Sequence, residues 1–401
     1  MKTKLAINWL LGPWAWIAVA AFQIVNFWSR GRPWVADAML TIETAAIAFP
    51  VLGALVCGAA ALDAARLGLS LGYHPVSTAA RGSRAYLAAS LWTAVPAAIV
   101  NTLVILGALV YGRPGHPTAS WPNLAVGMLV QGIALFWFAA VGSALGRHLQ
   151  PFVAGVAGGV VGYLTILAVS EVPGQSNPLD FGGALLPRVG LQYNLTNLTI
   201  QAVVLLATGI AAILLSNRRA PSRSWLWQIR TWLPLALIAS LFLGVGRVDA
   251  TPRVRPNTTP PTVCTGTAPR ICTYPEQREQ APDINEWVSR LADDARSAGY
   301  GALVAPQYWS TSAGFTPKPP VQGLELPDQP VVYGAWAQAM LTPTHCPQLQ
   351  SMRPPTEKYF TDMKNLINTW IAVGERKPAP LSPAQASQVR DGLVRCQIKV
   401  A

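Results

Sequence analysis

Charge is scarce in this chain of 401 residues: Asp, Glu, Lys and Arg make up only 12%, and mean hydropathy is +0.32. Soluble domains carry about twice that share of charge, so composition excludes a wholly soluble protein. Several chemistries are missing as well. No G-x-x-x-x-G-K-[ST] occurs, which excludes a phosphate loop in this chain. No C-x-x-C or H-E-x-x-H occurs, and His345 stands alone beside Cys346, so no metal site is nominated. The expectation is a protein that is not an enzyme, with no catalytic residue, cofactor or metal of its own.

The charge that exists is unevenly placed. The first 248 residues hold half of the 30 basic groups but only five of the 18 acidic ones, near +10, while the remainder is near +2. These cations sit between apolar runs, so they read as membrane-topology signals and not as a nucleic-acid footprint. About 20 apolar residues cross a bilayer core. Seven such runs are present: Trp9 to Trp28, Met39 to Leu62, Tyr86 to Tyr111, Leu124 to Leu145, Phe152 to Val169, Leu198 to Leu215 and Trp227 to Gly246. The first follows Lys2 and Lys4 as a signal peptide would, but it is long and no A-x-A-like site follows it before Arg30.

With the N-terminus in the cytoplasm, the inner segments carry Lys2, Lys4, Arg66, Arg81, Arg84, Arg147, Arg218, Arg219, Arg223 and Arg230; the outer ones carry only Arg30, Arg32, Arg113 and Arg188. Seven spans then put everything after Gly246 outside. Trp14, Trp16, Trp28, Trp34 and Trp121 lie near run ends, as do Trp225, Trp227 and Trp232, where indole rings prefer the headgroup layer. Glu43, a few residues inside the second run, reads as an interfacial carboxylate facing headgroups, or else as a polar group of an intramembrane pathway. Asn101, Gln131 and Gln201 read as interhelical hydrogen-bonding groups, and Pro50 and Pro96 as kinks.

Between the second and third runs, residues Asp63 to Arg84 form the longest inner loop. Asp63 to Arg66 can extend the second helix into water, and Gly72, His74, Pro75 and Ser77 read as a turn. Such a loop either docks a cytoplasmic partner or is a solvated basic linker.

The sequence divides into a transmembrane domain (1–247), a Pro/Thr-rich semi-extended linker (248–271) and an extracytoplasmic domain (272–401) that reads as α-rich. Three helices are signalled in the last: one opened by Asp283 and Glu286 and stopped by Gly299, one over Thr356 to Val373, and one capped by Ser382 with Gln385. GALVAP and PVVYGAW are candidate short strands. Cys57 falls in the second run, while Cys264, Cys272, Cys346 and Cys396 all fall beyond the last one. Four cysteines in an oxidising compartment allow three connectivities; the favoured one pairs Cys264 with Cys272 and Cys346 with Cys396 as structural disulfides.

The inner N-terminus and the segment after the second span resemble the permease subunits of type-two ABC exporters. The resemblance covers residues 1 to about 220, and Asp63, Arg66, His74, Arg81 and Arg84 fall where that family's coupling helix docks on a separate ATPase. The last domain, opening ICTYPEQREQ with Cys272, Pro275 and Glu276, resembles ABC-permease-like proteins of high-GC Gram-positive bacteria whose outer domain begins Cys-x-x-Pro-Glu. The resemblance implies a multi-pass protein of the bacterial cell membrane, a homodimer or a heterodimer with a related permease, contacting membrane lipid and a cytoplasmic ABC ATPase. A lipid, a hydrophobic peptide or an antibiotic would suit it as substrate. A seventh span and an outer domain depart from that family's pattern, which leaves a second expectation: a non-transporting sensor or scaffold whose outer domain binds a ligand or an envelope protein.

Overall fold

A computed structural model describes residues 12–29, 34–70, 81–117, 119–147, 149–170, 179–183, 188–216, 253–256, 261–310, 322–324 and 357–394. Its larger part is a bundle of α1 (Ala15–Ser29), α2 (Ala38–Ala46), α3 (Phe49–Ser70), α4 (Arg81–Gly112), α5 (Trp121–Gly146), α6 (Pro151–Ser170) and α7 (Leu195–Ser216). Four of these contain stretches long and apolar enough to cross a membrane: Phe49–Leu67, Ala85–Gly112, Trp121–Gly146 and Leu195–Leu214. Ala15–Ser29 and Pro151–Leu167 are shorter apolar helices. Large apolar side chains such as Leu103, Val110, Phe152 and Val203 are exposed around the bundle. So much apolar surface suits a lipid surround and not water, and the protein is a membrane protein.

The second apolar run is two helices and not one. Pro50 has no N–H to offer the carbonyl four residues back, and its ring crowds that carbonyl. The helix breaks at Ile47 and Ala48, just ahead of it, and Pro50 sits in the first turn of α3, where proline is tolerated. Pro96, by contrast, lies within a continuous α4. The seventh run, Trp227 to Gly246, lies outside the described residues.

α3 is the centre of the bundle, and small side chains are the reason neighbours approach it so closely. A Cβ added at Gly142 or Gly146 of α5 would stand 2.1 or 1.9 Å from the carbonyl oxygen of Cys57 or Ala61. On the other side of α3, Gly158 and Gly162 of α6 would bring a Cβ within 2.9 and 2.7 Å of the carbonyls of Cys57 and Gly53. The glycines of the fifth run thus bring two backbones into contact. Polar pairs add directional ties: Ser90 Oγ donates to Ser143 Oγ at 2.8 Å, and Trp137 Nε1 to Thr208 Oγ1 at 2.9 Å.

Asp63 does not extend α3 into water. It is buried with Ala64 and Ala65, and its carboxylate accepts from the backbone N–H of Gly12. Trp34 is another departure from expectation: it is buried, edge-on to Phe27 with ring centroids 5.2 Å apart, so it is not in a headgroup layer.

Two short strands, β1 (Leu191–Tyr193) and β2 (Val254–Pro256), pair antiparallel at the N-terminal end of α7. The segment read as a linker is therefore strand at Val254–Pro256, and again at Val263–Thr265. The small domain is rich in helix, as expected, and carries in addition a four-stranded sheet. Its sheet is ordered β3 (Val263–Thr265), β4 (Arg270–Thr273), β5 (Gln307–Ser310), β6 (Gln322–Leu324), the first pair antiparallel and the others parallel. Helices α8 (Ala281–Ser297), α9 (Glu357–Gly374) and α10 (Pro383–Val394) complete it. The core gathers Ile271, Ile284, Leu291, Tyr308, Leu366 and Trp370.

α8 starts two residues before Asp283, which lies in its first turn and does not cap it. At α10 the expected reciprocal box forms: Ser382 N donates to Gln385 Oε1 at 3.0 Å, and Gln385 N to Ser382 Oγ at 3.4 Å. GALVAP is a 3₁₀ turn at Gly301–Leu303 that leads into β5, and PVVYGAW lies outside the described residues. Cys264 and Cys272 face each other across the β3–β4 hairpin and form a disulfide. Cys346 and Cys396 lie outside the described residues, and Cys57 is a buried free thiol.

Replacing Gly142 or Gly158 by leucine should force α3 from its neighbours and cost on the order of 1–3 kcal/mol or more. Gly107, with nothing within 4 Å of an added Cβ, should accept leucine with little change. Thermal unfolding of the three variants in detergent, followed by circular dichroism, checks the contrast.

Candidate functional site

The buried polar groups converge on α2, at the end of the bundle where the small domain sits. All nine residues of this helix are buried, and a helix so short has little stability of its own. Each end presents backbone groups with no partner inside the helix, and specific side chains answer them.

At its C-terminal end the break leaves Thr44 O and Ala45 O with turn bonds from Ile47 N and Ala48 N, at 3.2 and 3.3 Å, in place of helical ones, and side chains add to them. Asn26 Nδ2 donates to Thr44 O at 2.8 Å and Gln23 Nε2 to Ala45 O at 3.0 Å. Gln23 Nε2 also reaches Asn101 Oδ1 at 2.6 Å, Asn101 Nδ2 donates to Gln131 Oε1 at 3.2 Å, and Gln131 Nε2 to Ile42 O at 2.9 Å. The structure thus joins Asn101 and Gln131, two of the polar residues singled out in the sequence, in one amide chain running from α1 through α4 and α5 to α2. Gln201 donates elsewhere, to Asp180 O at 2.8 Å.

The N-terminal end of α2 is held by two carboxylates. Asp37 caps it, accepting from Leu40 N at 2.7 Å and, with its other oxygen, from Arg188 N at 2.6 Å. Glu276 of the small domain accepts from Ala38 N at 2.6 Å. Two further bonds lie beside it: Gly115 N donates to Glu276 O at 3.0 Å, and Gln280 Nε2 to Val35 O at 3.4 Å. A Cβ at Gly115 would stand 2.4 Å from Pro275 O, so the docking needs a glycine there. Burial pushes the Asp37 carboxyl up to about 6, against its backbone hydrogen bonds and the Arg188 charge, which pull it down.

The side of α2 carries Glu43, and here the sequence reading is corrected. Glu43 is almost wholly buried and does not face headgroups. Its Oε2 accepts from Gly183 N at 3.0 Å, and its Oε1 lies 3.6 Å from Nη2 of Arg253, whose Nη1 is 3.8 Å from Asp180. Isolated charges cannot stay at such depth, so a partner is required. The Arg253 guanidinium also lies over the Tyr193 ring, 5.4 Å from its centroid. Burial works against its charge, but Glu43, Tyr193 and Asp180 outweigh it, so the guanidinium stays protonated. Burial first, then Glu43, holds the Tyr193 phenol well above its usual range and neutral.

Backbone pairing places these groups. Asn123 donates to Tyr193 O at 3.0 Å and accepts from Tyr193 N at 2.9 Å, which fixes β1 on α5. β2 pairs with β1, and Asn194 N donates to Arg253 O at 2.8 Å, so Arg253 is delivered against Glu43. Gly182, at φ +99, leaves the space they fill; a Cβ there would lie 1.8 Å from Glu43 Oε2.

The residues of the expected coupling segment lie away from this joint. Arg66 is half-buried on α3, Arg81 and Arg84 belong to the first turn of α4, and His74 lies outside the described residues. Sequence reasoning missed Arg253, Tyr193, Asp37 and Gln23. Two signals pointed to the joint: the Gly182–Gly183 pair, and Glu276 in the Cys-x-x-Pro-Glu stretch. Among the described residues no group of three His, Cys, Asp or Glu side chains could hold a metal ion. The arrangement is suited to a mechanical joint. No protein-family model matches the chain, and no curated protein and no solved structure matches it.

Substituting Arg253 by methionine strands Glu43 in the interior and should cost about 3–5 kcal/mol, whereas Glu43→Leu combined with Arg253→Met should recover most of that loss. A double-mutant cycle by chemical unfolding in detergent measures the coupling, and strictly additive costs would show that the pair does not act as a unit. For Asp37, the folded form binds its proton more tightly than the unfolded chain, whose carboxyl is near its ordinary 3.8. Stability from this group is therefore full below about pH 4 and lost as pH rises through about 6, by on the order of 2–3 kcal/mol. Thermal midpoints between pH 4 and 7 should fall more steeply for the native protein than for Asp37→Asn.

Proposed function

We propose that the chain is the membrane-spanning subunit of an ABC transporter-like complex, driven by a separate cytoplasmic ATPase and working as a dimer with itself or with a related permease. The observation that carries this reading is the continuity of α3. It runs unbroken over 22 residues, from Ser70, inside the Asp63 to Arg84 segment, to the break at Ile47 and Ala48. Close contacts along two of its sides make it move as a rod, and beyond the break it meets α2, which the small domain grips. A displacement at the ATPase side would arrive, about 33 Å away by helix rise, at the joint with the small domain. The exposed apolar side chains of the bundle, and the few charged residues within the apolar runs, suit a lipid, a hydrophobic peptide or an antibiotic as substrate.

In this reading there are seven spans, the N-terminus is cytoplasmic and the small domain is outside. Support comes from the two ends that residues 217–252 connect: Ser216 closes α7, while β2, which starts just after Arg253, pairs with β1 at that helix's N-terminal end. Trp227 to Gly246 is the apolar run available to connect the two ends.

The second reading reverses the direction of the signal. Glu276 of the small domain bonds directly to α2, so a ligand or envelope protein bound outside could bias the bundle with no transport at all. Purification in mild detergent separates the two. The transporter reading expects a Walker-motif ATPase to co-purify, and Arg66→Glu or Arg81→Glu to release it; a protein that purifies alone, with a phenotype indifferent to both substitutions, would favour the sensor. Cysteine labelling at Ser77 from the cytoplasm and at Ala401 from outside is the expected topology.

A further inference from the structure

We propose that α2 is a separately opening unit of the membrane domain, latched shut by Glu276 of the small domain, with the Ile47–Ala48 break as its hinge. Two independent features point to this. The first is the break itself. Because Pro50 cannot donate to Ala46 O, the helical ladder is interrupted and two turn bonds, Ile47 N to Thr44 O at 3.2 Å and Ala48 N to Ala45 O at 3.3 Å, lead out of α2, so α2 can move or melt without unwinding α3. The second is the origin of the contacts that hold α2. Glu276 Oε1 on Ala38 N, at 2.6 Å, comes from the small domain. Gly115 N, bonded to Glu276 O, and Val35 O, bonded to Gln280, tie the same latch to the α4–α5 connection and to the turn that precedes α2.

The remaining contacts set the limits of the opening. Met39, Leu40 and Ile42 pack among Phe27, Ile105 and Leu124, and Arg253 holds Glu43. These favour the closed state whenever the latch is made. A helix of nine residues is too short to persist by its own hydrogen bonds, so its closed form depends on these clamps. A charged acceptor on the first N–H of the helix is the strongest kind of single clamp available there. Any event that lifts the small domain withdraws that acceptor and lowers the cost of opening α2, whatever drives the event.

Hydrogen–deuterium exchange of the full chain in nanodiscs, resolved to peptides, reads this directly. In Glu276→Ala the amides of 38–46 should exchange roughly ten- to hundredfold faster, while those of 52–62 in α3 and 284–295 in α8 keep their protection. Glu276→Asp, which withdraws the same charge by one methylene, should accelerate 38–46 by a smaller factor and serves where the alanine variant does not fold. Unchanged exchange at 38–46 in a folded variant would overturn the latch. Equal acceleration of 38–46, 52–62 and 284–295 would overturn the separate unit, because it would mean only that the whole protein had been weakened.

Discussion

The break between α2 and α3 is the constraint from which the rest of the joint follows. A helix interrupted inside an apolar bundle exposes carbonyls that no water is there to satisfy, and such groups are tolerated only where protein answers them. Asn26, Gln23 and Gln131 answer Thr44, Ala45 and Ile42. Asn101 links two of those amides. Three helices, α1, α4 and α5, are thereby committed to one arrangement around α2, since moving any of them strands a polar group. The individual bonds are modest, about 0.6 kcal/mol on average in comparable settings, so their effect lies in specificity more than in total stability.

Charge acts on the same helix in a complementary way. Glu43 and Arg253 meet without hydrogen-bonding distance between them, at 3.6 Å, and a buried pair of this kind contributes little net stability compared with apolar residues. What it contributes is register: only one placement of β2 on β1 brings Arg253 over Tyr193 and against Glu43. Glu276 does the same for the small domain. The domain is thus oriented on the bundle by contacts that are costly to leave half made, while the bundle itself is held by close backbone packing of α3 with α5 and α6. The two mechanisms divide the molecule into a rod that is difficult to deform and a polar joint that can exchange partners.

That division clarifies why some sequence signals were readable and others were not. The first six apolar runs and the Ser382–Gln385 box are local: length, periodicity and spacing carry them, and they match α1 and α3 to α7 and the start of α10. The short strands β3 to β6 are three or four residues each, too brief for a period to show, and the β3–β4 hairpin becomes part of a larger sheet only because β5, distant in sequence, pairs with β4. The same holds for the stretch read as a linker. Its prolines and threonines signal extended chain correctly, but extended chain becomes strand only where an edge such as β1 or β4 is waiting.

At the candidate site the sequence by itself determined which groups had to be answered: a carboxylate at Glu43, amides at Asn101 and Gln131, a proline at Pro50, all in apolar surroundings where polar groups need partners. Only the tertiary structure decided who answers. Glu43 pairs with Arg253, which is 210 positions away in sequence, and Ala38 is capped by Glu276 of the other domain. The physical reason is that the need for a partner is a property of one residue and its depth, whereas the partner's identity is set by where the backbone of another segment is pinned, and no local pattern encodes that.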